Sequence, residues 1–474
     1  MNSNPLLNYG MIGLGTMGAN LVLNMNDKGY SVAGYDKDQK KVDTLNAEGR
    51  QTVRAFNNIG IFTQSLETPR AILLLVPAGP IVDAVINELL PHLQKDDIII
   101  DCGNSHFTDT QSRISALQSK GIHFMGLGVS GGETGARFGP SIMPGGDKQA
   151  YERIAPMLKD IAAKADGEPC TAYMGKGAAG HYVKMVHNGI EYALMQLISE
   201  AYQLLKKHGE FDNEELAQLF THWGNGKLQS YLIEITGAIF QQPDENSNGM
   251  LVDKINDTAQ QKGTGAWTSQ DAMNVQAPIP TIDAAVSQRI LSSMKVSRVQ
   301  ASEKYKNTHV KIKAAHKEAF AHLLEEALYA AFIITYGQGL AMLGKASAYY
   351  KFETEIATVA SIWRGGCIIR ASLLNEITKA YRQNNSLENI LEANEFIPKV
   401  KTSQSALRSI VQTAADQHIP APALYACLAY FDSYTSAWLP ANLIQAQRDF
   451  FGAHTYERND KEGIFHTEWN QKIQ

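Results

Sequence analysis

The feature that most restricts the fold of this chain is Gly13-Leu14-Gly15-Thr16-Met17-Gly18, which closes an apolar run, Tyr9 to Gly13, and opens a helical stretch, Met17 to Lys28. A GxGxxG set between a strand and a helix has a mechanical reason. The first glycine permits a tight turn, the second lets backbone amides approach a pyrophosphate, and the third allows close packing of helix on strand. The next apolar run, Ser31 to Tyr35, is followed by Asp36, an acid about 20 residues along, where a ribose hydroxyl would be met. A glycine-rich turn without a ligand is the plainer reading, and the strand–turn–helix setting argues against it.

Further short apolar runs, Ala71 to Val76, Ile98 to Asp101 and Ile122 to Met125, alternate with amphipathic stretches. Each is too short and too uniformly apolar for a strand with one wet face. They predict a parallel sheet covered on both sides, hence a doubly wound, Rossmann-like α/β domain at the N-terminus. After glycine-rich punctuation at 126–146 and 175–180 the pattern turns to helical periodicity, with a long apolar-periodic run from His316 to Leu343. The boundary falls near Gly177, giving an α/β domain at 1–178, a large all-α domain at 179–439 and a short C-terminal tail at 440–474. Such a tail stays disordered unless docked. Trp223, Gly224, Gly226, Leu228, Ser230 and Glu234-Ile235-Thr236 are echoed by Trp363, Gly365, Gly366, Ile368, Ala371-Ser372 and Glu376-Ile377-Thr378. Either a helical unit is duplicated or two Trp-Gly helix starts coincide by chance.

Composition narrows the partners. The 474 residues are 44% hydrophobic and 19% charged, with a net charge of -5, and no basic block marks a nucleic-acid or membrane surface. Small molecules or a second copy of the chain are the expected partners. Cys102, Cys170, Cys367 and Cys427 form no CxxC, so no zinc site, redox motif or disulfide framework is expected, and the setting reads as reducing and cytoplasmic. Neither a secretory leader nor an apolar run of about 18 residues able to span a bilayer is read from the sequence.

Polar groups cluster where ligands would sit. Asn104 follows the strand ending at Asp101, at the edge where open α/β sheets bind ligands. Ser130-Gly131-Gly132 offers consecutive amides able to wrap a carboxylate. Lys184, His187, Asn188 and Glu191 recur at i, i+3, i+4 and i+7, one face of a helix. That stripe reads equally as solvated surface, but the small residues Gly177-Ala-Ala-Gly180 before it would let the helix approach the cofactor domain closely. A sheltered lysine beside a carboxyl is a plausible acid/base pair, the amine acting as base once burial depresses its pKa. Anion-binding candidates are Gln261-Lys262-Gly263-Thr264-Gly265, which is not a P-loop, together with Arg289, Arg448 and His454. On the cofactor side stand Gly13, Leu14, Gly15, Thr16, Met17, Gly18, Asp36, Lys37, Val76 and Asn104. Asp36 favours NAD by repelling a 2′-phosphate, whereas Lys37, Lys40 and Lys41 bring positive charge to NADP.

Three long segments, 130–146, 183–192 and 445–456, resemble in order the signatures of the 6-phosphogluconate dehydrogenases, a resemblance covering essentially the whole chain. It implies the oxidative decarboxylation of 6-phosphogluconate to ribulose 5-phosphate in the pentose phosphate pathway, with NADP as the family's usual cofactor and no metal. It further implies that Lys184 is the general base at the 3-hydroxyl and Glu191 the acid that protonates C1. Ser130, Gly131 and Gly132 would hold the carboxylate, Asn104, His187 and Asn188 the hydroxyls, and Tyr192, Lys262, Thr264 and Arg289 the phosphate. Arg448 and His454 would enter from the second subunit of a homodimer. Two positions depart from the family's pattern: Asp36-Lys37-Asp38 replaces an Asn-Arg-Thr-like run, and His106 replaces an acid. The competing readings are a related β-hydroxyacid dehydrogenase acting on another acid, and a catalytically silent nucleotide-binding protein.

Overall fold

The structure, a computed structural model, describes residues 5–261, 263–305 and 316–469. Seven strands, β1 (Tyr9–Ile12), β2 (Val32–Tyr35), β3 (Val53–Phe56), β4 (Ala71–Leu74), β5 (Ile98–Asp101), β6 (His123–Ser130) and β7 (Ser141–Gly145), form one sheet in the order β3-β2-β1-β4-β5-β6-β7. All neighbours are parallel except β6 and β7. The strand order reverses between β1 and β4, the point beyond which such sheets bind ligands.

Helices α1 (Thr16–Asp27), α2 (Gln39–Ala47), α3 (Ile59–Gln64), α4 (Pro80–Leu89), α5 (Phe107–Gln118), α6 (Gly132–Phe138) and α7 (Lys148–Ile161) accompany the strands. Alternation along the central strands feeds two cores. Met11, Leu73, Ile98 and Ile100 pack with Leu21, Val22 and Met25 of α1 and with Ile154 and Leu158 of α7. Ile12, Ile72, Leu74 and Ile99 pack with Phe62 of α3, Val82 and Ile86 of α4 and Leu117 of α5. Each such side chain contributes about 1.5–3 kcal/mol when fully buried, so a strand serving both cores has no position to spare for polar residues.

The sequence reading gives five strands, and the sheet has two more. Edge strand β3 alternates buried and half-buried residues and includes Arg54, so it lacks the uniform apolar signature. Strand β7 contains Pro144 and Gly145 and lies inside the segment read as glycine-rich punctuation. Its antiparallel pairing with β6 matches Ser130 to Ser141, and β6 itself extends five residues beyond the expected Met125.

The chain continues through α8 (Ala179–Lys207), α9 (Asn213–Gly224), α10 (Tyr231–Gln241), α11 (Thr264–Asn274), α12 (Pro280–Ser293), α13 (Lys295–Lys304), α14 (Lys317–Tyr350), α15 (Ile356–Ile362), α16 (Leu373–Gln383), α17 (Ile397–Asp416) and α18 (Pro422–Tyr434). Contrary to the sequence reading, α14 is long and apolar enough by composition to cross a membrane, but 89% of its apolar window is buried within the protein. It is a core helix, apolar all round because it is surrounded. The echoing segments meet side by side: Tyr231 donates its N–H to the Arg370 carbonyl at 3.1 Å, and Ser372 donates to Gln229 at 3.0 Å. Trp223 and Trp363 are both buried, 1% and 0% exposed.

Two compact units are present, Met1–Cys427 and Leu428–Gln474. The second holds α19 (Ala441–Gly452) followed by an antiparallel pair, Tyr456–Glu457 with Ile464–Phe465. Short-range strand pairing and side-chain hydrogen bonds order this segment through Trp469.

Candidate active site

Helix α8 brings the reactive side chains to the sheet because glycines remove what would keep it away. A Cβ on Gly180 would lie 2.2 Å from the Gly126 carbonyl oxygen and 2.4 Å from that of Met143. Four residues on, the Cβ of Lys184 stands where a Cβ on Gly128 would be, 2.4 Å apart. The first turns of α8 thus lie on β6 and β7, and the Lys184–Glu191 face looks onto the end of β6.

That face is buried rather than wet: Lys184 is 7% exposed, His187 0% and Asn188 8%. The reading of these residues as solvated surface is thereby removed. Lys184 Nζ lies 3.4 Å from His187 Nδ1, which is also 3.1 Å from Asn188 Oδ1 and 3.8 Å from Glu191 Oε2. His187 Nε2 meets Ser130 Oγ at 3.2 Å. With the Asn188 carbonyl accepting from Nδ1, Nε2 is left to accept the Ser130 hydroxyl, a tautomer assigned from the partners. Burial, reinforced by the Lys184 charge, holds His187 neutral, well below its usual pKa.

Burial also depresses the Lys184 amine, opposed by the charge of Glu191. Glu191 keeps 22% of its side chain exposed, and burial raises its pKa against the pull of Lys184 and Arg289. Both shifts favour the neutral forms, which suits a base that accepts a proton and an acid that delivers one.

The carboxylate-cradle candidates sit against the helical part of the same unit. Gly131 adopts φ 123° at the N-cap of α6, and a Cβ there would be 2.5 Å from the Gly366 carbonyl oxygen. The Gly366 carbonyl accepts the Ser141 N–H at 2.9 Å, the Ser141 hydroxyl donates to Ile362, and Trp363 stands edge-on to His187 with ring centres 5.6 Å apart. The loop after α15 therefore backs both Ser130 and His187. Sequence reasoning missed it, although the Trp-Gly-Gly spacing was visible.

Asn104 is exposed on the loop after β5, and buried Asp101 shapes that loop. Asp101 accepts from the Gly103 N–H at 3.0 Å and from the Ser105 hydroxyl, while its carbonyl meets His181 Nε2 at 3.0 Å. His181 was also missed, although it lies one helical turn before Lys184. His106 caps α5, accepting the Thr108 N–H at 3.3 Å, and its ring meets Trp267 edge-on with centres 4.8 Å apart.

A second cluster forms the anion candidates. The Arg289 guanidinium lies over the Tyr192 ring, 3.3 Å from its centre, and among the described residues no carboxylate pairs with it within 4.0 Å. Burial lowers its pKa. Gly265 packs against Tyr192, and Thr268 donates to the Met185 carbonyl at 2.9 Å, which fastens α11 to α8 and puts Thr264 beside Tyr192. Lys262 lies outside the described residues. Arg448 and His454 belong to the second unit and are both exposed there.

The dinucleotide candidates fit that ligand. Gly13 has φ 95°, Gly15 is the N-cap of α1 with no side-chain cap bond, and a Cβ on Gly15 would meet only open space. Free amides thus face a groove suited to a pyrophosphate. Val76 approaches Gly13, and its carbonyl approaches Gly103. Asp36 is partly engaged: it accepts the Leu14 N–H at 2.8 Å and the Asp38 N–H at 3.0 Å, and pairs with Lys41 at 3.2 Å. Lys37 pairs with Glu88 instead. Among the described residues no group of His, Cys, Asp and Glu could hold a metal ion.

A glycine-rich strand–turn–helix beside a buried lysine–carboxyl pair defines a dinucleotide-dependent dehydrogenase. Comparison with known proteins narrows the class. Residues 8–175 match the NAD binding domain of 6-phosphogluconate dehydrogenase, and residues 180–469 match the C-terminal domain of 6-phosphogluconate dehydrogenase. The chain is 51% identical to the NADP(+)-dependent, decarboxylating 6-phosphogluconate dehydrogenase of Bacillus subtilis, over 97% of this chain and 98% of that one. It is 50% identical to the decarboxylating enzyme of Escherichia coli K12, with the same coverage. A Plasmodium falciparum 6-phosphogluconate dehydrogenase, solved in apo form and with NADP+ and 6-phosphogluconate, superposes with a TM-score of 0.94 at 42% identity, covering 98% of this chain and 100% of that one. The chain belongs to the 6-phosphogluconate dehydrogenase family.

Proposed function

We propose that this chain catalyses the oxidative decarboxylation of 6-phospho-D-gluconate to D-ribulose 5-phosphate and carbon dioxide, reducing NADP or NAD. The observation that carries this reading is the buried Lys184–His187–Glu191 face set against Ser130. When bound, the nicotinamide supplies the acceptor for the hydride that leaves C3. Lys184, its pKa lowered by burial, acts as the base that takes the proton of the 3-hydroxyl, and as the 3-keto acid loses carbon dioxide the protonated amine assists at the carbonyl oxygen. Glu191, its pKa raised, then delivers a proton to C1 of the enediol.

Ser130, Gly131 and Gly132 hold the carboxylate, and Asn104, His187 and Asn188 fix the hydroxyls so that C3 meets the cofactor in one orientation. Tyr192, Lys262, Thr264 and Arg289 hold the phosphate. Arg289, half-buried over Tyr192, donating to the Gln260 carbonyl and paired with no carboxylate among the described residues, supports a phosphorylated substrate over a smaller, uncharged-tailed acid, because its charge is left for an anion. In this reading residues 1–178 bind the cofactor, 179–439 form the substrate and dimerisation domain, and 440–474 carry Arg448 and His454 into the partner subunit of a cytoplasmic homodimer. Four buried, unpaired cysteines are consistent with that setting.

For the cofactor, Asp36 weighs against a 2′-phosphate while Lys41 beside it weighs for one, so NADP and NAD should both be used. Steady-state assays with 6-phosphogluconate and each cofactor in parallel test this. A preference for NADP above about a thousandfold, equal to about 4 kcal/mol, would remove NAD from the reading. Lys184→Ala should abolish oxidation yet still bind the dinucleotide, and near-normal turnover would remove the lysine from the chemistry.

A further inference from the structure

Both tail residues of the proposed site lie on the second unit, and one buried carboxylate organises the chain around them. Asp449 is 0% exposed. Its Oδ1 accepts the Thr455 N–H at 2.9 Å and meets His466 Nδ1 at 2.8 Å, while its Oδ2 accepts the Thr467 N–H at 3.0 Å and the Trp469 indole N–H at 2.8 Å. Four donors saturate a carboxylate that would otherwise be costly to bury. Burial opposes its ionisation, but the His466, Thr467, Trp469 and Thr455 donors together outweigh it and hold the carboxyl well below the usual range.

All four donors come from the segment after α19, so this one side chain ties the helix to the strand pair that follows. Gln445, one helical turn earlier, completes the clamp. Its Nε2 donates to the Thr455 carbonyl at 2.6 Å, and its Oε1 accepts from Arg448 Nη1 at 3.1 Å. Thr455 is thus held by its N–H through Asp449 and by its C=O through Gln445. The clamp is needed locally, because Ala453 (φ 48°) and Thr455 (φ 60°), on either side of His454, both adopt the left-handed region. Non-glycine residues stay there only when surrounding contacts enforce it.

We propose that Asp449 and Gln445 are positioning residues for substrate binding: they fix the spacing of Arg448 and His454, so that the two side chains meet the anionic substrate as one rigid pair. Neither touches substrate. The inference rests on the reading of Arg448 and His454 as substrate-binding residues, and the test separates the two.

Asp449→Asn keeps the volume but turns an NH₂ group toward two donors. In the full-length protein it should raise the KM for 6-phosphogluconate about tenfold or more, with kcat within about threefold and the KM for the dinucleotide unchanged. Gln445→Ala leaves all four Asp449 bonds in place and should raise the same KM severalfold, which keeps the proposal testable should the Asn variant fold poorly. If Arg448→Ala and His454→Ala leave the KM unchanged, the reading of the tail as substrate-binding fails. If those two raise it while Gln445→Ala and a folded Asp449→Asn do not, the positioning role is overturned.

Discussion

The chemistry of single residues here is set by where burial leaves them. Lys184 and Glu191 share one helix face, yet burial moves their pKa values toward each other, the amine down and the carboxyl up. The sign of each limb of a pH profile follows. A base with a depressed pKa gains activity as pH rises through that pKa, and an acid with a raised pKa loses it as pH rises through its own. The profile of kcat should therefore be bell-shaped, with the acid limb from Lys184 and the alkaline limb from Glu191. In Glu191→Gln the residual activity should be at least tenfold lower, about 1.4 kcal/mol or more of lost stabilisation, and should lack the alkaline limb. A full alkaline limb in that variant would assign it to another group. The identity of these residues was legible from their spacing, but their burial was not, since i, i+3, i+4, i+7 polarity describes a wet face as well as a site. Likewise the contacts of His181 with the Asp101 carbonyl and of Trp363 with the His187 ring were not legible, although both residues stand in visible patterns, because their partners are distant in sequence.

At the scale of elements, the site exists because α8 can lie directly on the sheet. Gly180 faces three backbone atoms, the Gly126 and Met143 oxygens and the Gly145 nitrogen, all within 2.6 Å of where a Cβ would stand. Backbone cannot rotate away as a side chain can. Gly180→Ala should push the start of α8 off β6 and β7, costing about 1–3 kcal/mol of stability, as overpacking does, and lowering kcat/KM by at least tenfold, since reactive groups displaced by about 1 Å lose that much or more. Thermal unfolding and steady-state kinetics on one preparation would check both. Wild-type kinetics would show that the helix is not held by this contact. The small-residue run 177–180 announced the close approach, and the apolar runs announced β1, β2, β4, β5 and the start of β6. What escaped the sequence were the elements whose pattern depends on the third dimension: β3, half-exposed at the edge, and β7, whose Pro144 and Gly145 read as a turn until β6 lies beside them in antiparallel register. Helix α14 was announced by the apolar-periodic run from His316 to Leu343, but that it is apolar enough to pass as a membrane span, and is instead buried in the core, was not.

At the scale of the whole molecule, the proposed site needs residues from two places in the chain: Lys184 in the first compact unit, and Arg448 and His454 in the second. Whether one subunit or two supply them has a consequence that mixing can read. Lys184→Ala chains should be nearly inactive alone, and Arg448→Ala chains nearly inactive alone when assayed at substrate concentrations far below their raised KM. When the two are unfolded together and allowed to reassemble at random, half of the dimers contain one chain of each kind. With the tail exchanged, one site of each mixed dimer combines the Arg448→Ala chain's intact Lys184 with the Lys184→Ala chain's intact Arg448, and the other site carries both defects. Activity should therefore return to about a quarter of the wild-type level, as the symmetry of an isologous dimer requires. Were each tail to serve its own subunit, every site in every dimer would retain one defect, and mixing would restore nothing. Recovery with the predicted ceiling also excludes simple mutual stabilisation of two weak variants, because that effect would raise the activity of like-with-like dimers prepared separately at the same total concentration.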